Sequence, residues 1–413
     1  MTSISPASSP ATAQARRDPR IYQPFMRLSH LLDGEKPGAS PLPDGAPISL
    51  SIGDPQLSAP PLLAETLAAY PNDWSCYPPF RGTPDFRAAC HDWLVRRYGL
   101  SPETLDADRQ ILPLPGSREG LFFATLTAIN RGAAEGRTKV LIPSPGYHVY
   151  AGGALAAGAE PVFVPARADN NFLPDYEGLP KETLDRTAIA FFCSPSNPEG
   201  AVASREQWRA WIELAQRHGF VLAADECYAD IYTDEPPAGL LEAVQGPQGT
   251  EGLLTFHSLS KRSSAAGLRS GFVAGDSELV DGIDAFMRYG GASVPTPILH
   301  ASAALWRDEA HVVETRCYYR TLFEMAEEKL WAKTGWRMPA GGFFAWLEVG
   351  DGEAFALRAW KEAGLRVLPG RYLCPDEEGA APEDNPGAPY IRVALVHEPQ
   401  VTEKALDRLA EML

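Results

Sequence analysis

The sequence predicts an α/β fold around a largely parallel sheet. Between about residue 80 and residue 290, short apolar runs alternate with segments that carry helix start and stop signals. That order is the one βαβ units produce. The runs are apolar at nearly every position, as strands covered on both faces are. They are Val140–Ile142, Ile189–Cys193, Phe220–Ala224, Leu253–Phe256 and Phe272–Ala274. A chain of 413 residues is also too long for one simple core, so two domains are expected.

The helical signals are local. Pro84 suits the first helical position before Asp85–Tyr98, and Gly99 suits the position after its end. Ser204 with Gln207 has capping-box spacing, and Gly219 closes that helix. Pro115, Gly116 and Ser117 form a small-residue turn before an apolar helix over Leu121–Ile129. Pro236–Gly252 and Pro375–Pro389 are rich in Gly and Pro and read as mobile, the second as an exposed loop. Ala354–Leu413 returns to helix and strand patterns and is expected in a second, smaller domain. Residues 1–20 are rich in Ser, Ala and Pro without an apolar core segment. They read as a disordered tail and not as a secretory signal, with an organelle transit peptide as the alternative.

Composition narrows the function. The chain is 45% hydrophobic and 22% charged, ordinary for a globular protein. A net charge of −16 argues against nucleic acid and anionic membrane as partners, since both are polyanions. Small anionic substrates stay open. No apolar stretch reaches the ~20 residues of a membrane span. Six scattered cysteines without a CxxC pair argue for free thiols in the cytoplasm and against a metal site. Cys227 lies between Asp225 and Tyr228. It reads as a small buried hydrophobe or as a neighbour of the site.

In parallel sheets ligands collect at the carboxyl ends of strands. Asn197 follows the second apolar run, Asp225 the third and Lys261 the fourth. Alone, each has a plain explanation: a turn, a helix cap, an exposed lysine. Together with Arg269 they supply an amine, a carboxylate and a cation. That set suits pyridoxal 5′-phosphate, which needs an amine for its aldehyde, a carboxylate for its ring nitrogen and a cation for its phosphate. Gly116 and Ser117 add helix N-terminal N–H groups that favour an anion. Arg392 interrupts the apolar strand Tyr390–Val396. A buried guanidinium needs a partner, and a carboxylate takes it bidentately.

The ordered set Asn197, Asp225, Tyr228, Lys261, Arg269 and Arg392 resembles the fold-type I aminotransferases of class I/II, over most of the chain. The resemblance implies a large cofactor domain over residues 65–310. It implies a smaller α+β domain from residues 21–64 and 311–413. Lys261 would hold the cofactor and move the proton, with Asp225 on the ring nitrogen and Tyr147 stacked on the ring. Tyr228 and Asn197 would share the ring oxygen. Gly116, Ser117, Arg118, Ser258, Ser260 and Arg269 would cradle the phosphate. Gly53, Asn197 and Arg392 would bind the substrate carboxylate. Tyr77 would reach the phosphate of a neighbouring subunit, which implies a homodimer with shared sites. The substrates would be an amino acid and a 2-oxo acid.

Several segments are similar to succinyldiaminopimelate aminotransferases: Tyr22–Phe25, Cys193–Pro195, Ser260–Ser263, Arg269–Asp276 and Asn385–Gly387 before Ile391–Leu395. That similarity implies N-succinyl-diaminopimelate and 2-oxoglutarate as the pair. A long dicarboxylate needs a second contact, for which Arg81, Arg118 and Arg262 are candidates. The sequence departs from the pattern at Glu199, where Thr is usual, and at Ser264-Ala-Ala in place of Asn-Val-Pro. Extra acidic residues before Asn385 also depart from it. The alternatives are an aspartate- or aromatic-type aminotransferase, a lyase on the same scaffold, and an amine-sensing regulator. The short segment before the core leaves that regulator no room for a DNA-binding domain.

Overall fold

The computed structural model describes residues 23–244, 249–375 and 384–413. The expected tail over 1–20, Tyr22 and the middles of the two Gly/Pro-rich segments lie outside the described residues. Seven strands form the main sheet: β2 (Ile111–Leu114), β3 (Lys139–Ser144), β4 (Glu160–Pro165), β5 (Thr187–Cys193), β6 (Val221–Asp225), β7 (Leu253–Ser258) and β8 (Gly271–Gly275). Their order is β2-β8-β7-β6-β5-β3-β4. The pairs among β4, β3, β5, β6 and β7 are parallel, whereas β8 runs antiparallel to both β7 and β2.

All five apolar runs are strands of this sheet. Two further strands lack such a run. β4 is an edge strand that begins Glu160-Pro161 and ends at Pro165, and β2 carries Pro113 at the other edge. Proline cannot donate to a ladder and is confined to such edges, which hides them from an apolar-run criterion.

Thr83 caps the helix Pro84–Tyr98 by accepting from Phe86 N at 3.2 Å, and Gly99 ends it at φ 61°. The helix Ser117–Gly132 starts four residues before its apolar stretch and outruns it. Ser204 accepts from Gln207 N at 3.1 Å, so the serine half of the expected capping box is made.

The first part of Pro236–Gly252, expected as mobile, is packed into the core. Leu240, Leu241 and Ala243 are buried, and Leu240 N donates to Glu226 Oε1 at 2.7 Å. The glycines and prolines shape the path, while these apolar residues anchor it. Past Pro375, the amide of Asn385 donates to Arg371 O and Pro375 O at 3.3 and 3.4 Å.

Two smaller sheets link an N-terminal strand to the C-terminal part of the chain. β1 (Ile48–Ser49) pairs in parallel with β10 (Leu365–Arg366). β11 (Leu368–Pro369), β12 (Tyr390–Ala394) and β9 (Phe344–Glu348) form an antiparallel sheet with β12 in the middle. Ile48, Leu50, Leu322, Phe323, Leu365, Val393 and Leu406 share one core there. Among the described residues, no helix is long and apolar enough to cross a membrane.

Ser204→Ala should lower the unfolding free energy by about 1 kcal/mol, the usual worth of a serine cap. A urea midpoint unmoved by the substitution would show that water caps the helix equally well.

Candidate active site

The site stands on the rim where β5, β6 and β7 end. Asp225 is the last residue of β6 and pairs with Cys193 of β5 on one side and Phe256 of β7 on the other. Its carboxylate is buried. Oδ2 accepts from the Tyr150 hydroxyl at 3.0 Å, and Oδ1 accepts from Cys227 N at 3.3 Å. Burial pushes this carboxyl above its ordinary value, and those hydrogen bonds pull it back in part.

Lys261 lies in the one-turn helix Leu259–Arg262 directly after β7, capped by Ser258, which accepts from Ser260 N at 3.1 Å. Its ammonium donates to Gly53 O at 2.5 Å and lies 5.2 Å from the Phe343 ring centre. Burial lowers its pKa to about 8. The neutral amine is therefore within reach near neutral pH, as a nucleophile or base requires.

Arg392, in the middle of β12, donates to Asn197 Oδ1 at 2.9 Å and to Ser51 O at 2.7 Å. It lies 4.3 Å over the Phe344 ring. Its Nε has no partner among the described residues, and burial brings it down to about 10. Tyr228 packs against Phe343 and Phe344, and burial pushes its phenol well up.

A cavity of about 480 Å³ opens between these groups. Gly53, Ser117, Arg118, Tyr147, Asn197, Asp225, Tyr228, Ser258, Ser260, Lys261, Arg269 and Arg392 all line it. Gly116 stands just behind. Its φ is 102°, and a Cβ there would come 2.2 Å from Arg269 Nη2, so only glycine fits. Arg269 donates to Pro115 O at 2.9 Å and Glu119 Oε2 at 3.1 Å. Ser258 Oγ and Ser260 Oγ are 3.0 Å apart.

Not every expected residue joins this group. Tyr77 is fully exposed and does not line the cavity of its own chain. Arg81 is tied to Asp281 Oδ1 at 2.8 Å and to the carbonyls of Asp108 and Arg109. Arg262 is buried between Asp230 at 2.7 Å, Glu309 at 2.8 Å and Leu305 O at 3.0 Å. Neither arginine lines the cavity of its own chain. Arg118 faces the cavity and donates Nε to the Tyr147 hydroxyl at 3.0 Å.

Sequence reasoning missed Asp54, His148, Cys193, Phe344 and Leu373 as cavity residues. Burial holds His148 near pKa 4, hence neutral. Its place beside Tyr147 was the available signal. Glu199 is buried behind the rim, accepts from Ser196 Oγ at 2.8 Å and is pushed up to about 8 by burial. The acid that replaces the usual threonine is thus accommodated uncharged.

The donor set fits pyridoxal 5′-phosphate. The Gly116–Ser117 helix start, Arg269 and the two serines form an anion cradle, Asp225 is an acceptor on the cavity floor, and Lys261 is an amine of lowered pKa. The relatives agree. The model of the family "aminotransferase class I and II" matches residues 46–409. An aminotransferase from Neisseria meningitidis is 37% identical and covers 94% of this chain and 96% of its own, with a TM-score of 0.86. The LL-diaminopimelate aminotransferase of Desulforudis audaxviator is 32% identical over 373 residues, 88% of this chain and 89% of that protein. A probable N-succinyldiaminopimelate aminotransferase from Thermus thermophilus is 25% identical at a TM-score of 0.80, covering 95% of this chain and all of that one. The chain belongs to the class I and II aminotransferase family, a pyridoxal phosphate-dependent family of fold-type I, and it is a transaminase.

The half-buried ammonium of Lys261 sets a pH dependence. The unfolded chain holds this proton up to about pH 10.4, whereas the fold releases it near 8. Burial thus costs stability fully below pH 8, and the cost fades as pH rises to about 10.4. With no cofactor bound, Lys261→Met should stabilise the chain by on the order of 1–3 kcal/mol at pH 7 and hardly at pH 10.4 or above. Urea unfolding at pH 7 and pH 10.5 measures this, and an equal effect at both would place the lysine in water.

Proposed function

We propose that this chain binds pyridoxal 5′-phosphate at the cavity rim and transfers the amino group of a diaminopimelate-class donor. The observation that carries the reading is the pair of cationic anchors, Arg392 and Arg118, in one cavity with Lys261 and Asp225. When bound, the cofactor supplies an electron sink that makes the substrate's Cα proton removable. Asp225, held by Tyr150 and Cys227 N, would favour a positive charge on the ring nitrogen. Tyr228 and Asn197 would hold the ring oxygen. Gly116, Ser117, Ser258, Ser260 and Arg269 would hold the phosphate, and Tyr147 would pack against the ring.

Lys261 takes the Cα proton as its neutral amine and returns it as an ammonium. Arg392, with Gly53 and Asn197, orients the α-carboxylate, and Arg118 meets the distal end. The names of the relatives support the donor class. The Desulforudis protein, like one from Aquifex aeolicus at 30% identity over 375 residues, is an LL-diaminopimelate aminotransferase. N-Succinyl-diaminopimelate with 2-oxoglutarate is the alternative pair within the same class, supported by the Thermus likeness.

We further propose a cytoplasmic homodimer, in which the exposed Tyr77 reaches the partner's phosphate site. Residues 65–310 would form the cofactor domain, and 21–64 with 311–413 the smaller one. The exposed rings of Tyr70, Trp74 and Tyr77 support such a contact.

Mixing the cofactor-saturated protein with single amino acids and following its conversion to the amine form tests the reading. LL-diaminopimelate or its N-succinyl derivative should give the highest kcat/KM in a panel with acetylornithine, aspartate, alanine and an aromatic amino acid. A preference for aspartate or an aromatic donor would overturn the donor class and leave the transaminase. Release of keto acid with no acceptor present would identify a lyase.

Arg392→Lys should cost at least about tenfold in kcat/KM, because an ammonium cannot form the bidentate pair. Asp225→Asn should slow turnover by orders of magnitude with the fold intact, since an amide does not favour the protonated ring. Steady-state kinetics beside a circular-dichroism melt separate these effects from misfolding.

A further inference from the structure

The geometry points to a site for a thiophilic divalent cation of the zinc and cadmium class on the cavity floor, formed by Cys193, Asp225 and Cys227. It further implies that this ion and the cofactor exclude one another. The exclusion half rests on the function proposed above, whereas the ion site does not.

The two sulfurs and a carboxylate oxygen of these residues all lie within 4.8 Å of one another. Register explains why. Cys193 and Asp225 are cross-strand partners at the ends of β5 and β6, and Cys227 is two residues past Asp225 on the turn that leaves β6. With metal–sulfur bonds near 2.3 Å and metal–oxygen bonds near 2.1 Å, a tetrahedral ion needs its ligand atoms roughly 3.4–3.8 Å apart. Side-chain rotation about fixed strand ends closes the remaining gap of up to about 1 Å.

The surroundings suit a metal site. All three residues line the cavity, which gives an ion a route in and leaves its fourth position facing open space. Two thiolates favour soft cations over magnesium or calcium. The carboxylate already has an outer shell in the Tyr150 hydroxyl and Cys227 N, one on each oxygen. Each oxygen keeps a free lone pair, and the outer donors fix its direction as they do in metal sites. The Cys193 thiol now donates to Pro195 O at 3.1 Å, a hydrogen bond that its deprotonation on metal binding would exchange for the metal–sulfur bond.

Binding balances as one cation, two thiols and a carboxylate giving a complex of net charge −1, with two protons released to solvent. Asp225 is the group proposed to face the ring nitrogen, so an ion bound there takes the ring's acceptor and its floor space.

Titrating the full-length chain with cadmium chloride tests this, once saturated with pyridoxal phosphate and once freed of it. The cofactor-free chain should bind one cadmium with a sulfur-to-metal charge-transfer band, and cadmium-edge X-ray absorption should show two sulfur neighbours. The saturated chain should show no band. Cys227→Ser should halve the band and weaken binding at least about tenfold, while Cys76→Ser with Cys317→Ser, both exposed positions, should leave it unchanged.

A band that survives in Cys193→Ser/Cys227→Ser, or no band in the cofactor-free chain, overturns the site. If those variants do not fold, the sulfur count on the unaltered chain decides. A band in the saturated chain overturns the exclusion alone. A chain that never takes up pyridoxal phosphate but shows the two-sulfur band refutes the proposed function and keeps the ion site.

Discussion

A buried guanidinium and a half-buried ammonium govern this structure. Arg392 and Lys261 sit in one cavity wall with few protein acceptors, and the desolvation this costs is visible in their lowered proton affinities. A buried charge survives only where a rigid frame holds it. For Arg392 the frame is the middle strand of an antiparallel sheet, where it pairs with Trp346 on one side and Leu368 on the other. For Lys261 it is a capped helical turn. The unsatisfied hydrogen-bonding capacity left over is what a carboxylate or aldehyde ligand can use.

The main sheet supplies the rest by direction. Parallel strands bring their carboxyl ends to one edge, which gathers Cys193, Asp225 and the segment after Ser258. The antiparallel strand β8 completes the rim, because it begins where β7 ends: Gly271 pairs with Ser258. Gly271 also pairs with Leu114 at the end of β2. Arg269, ahead of β8, and Gly116, after β2, therefore meet at the same place although they are 153 positions apart.

Beneath the rim lies a layer of paired charge and aromatic rings. Arg262 turns inward from Lys261 to Asp230, which also accepts from Arg97 at 3.2 Å. Glu226, beside Asp225, takes the Tyr98 hydroxyl and Leu240 N and is raised to about 7 by burial. Trp93 packs edge-on against His257 and Phe272. On both segments the chemical residue faces the cavity and its neighbour locks the backbone, so a shift of the core moves the site.

By itself the sequence determined five strands of the main sheet, several helix ends and the order of chemical groups along the rim. These depend on local pattern: apolar runs, Pro84, Ser204 and Gly99 at helix ends, and Asn197, Asp225 and Lys261 one short step beyond three apolar runs. The family motifs then carried the cofactor and the reaction. Edge strands with proline, the buried stretch around Leu240 and the fates of Arg81 and Arg262 were decided by tertiary structure. An arginine near a motif reads the same whether it faces a ligand or a carboxylate 47 residues away, as Arg262 and Glu309 show. The closeness of Cys193 to Cys227 was equally hidden, because strand register, not sequence spacing, sets the distance between side chains on neighbouring strands.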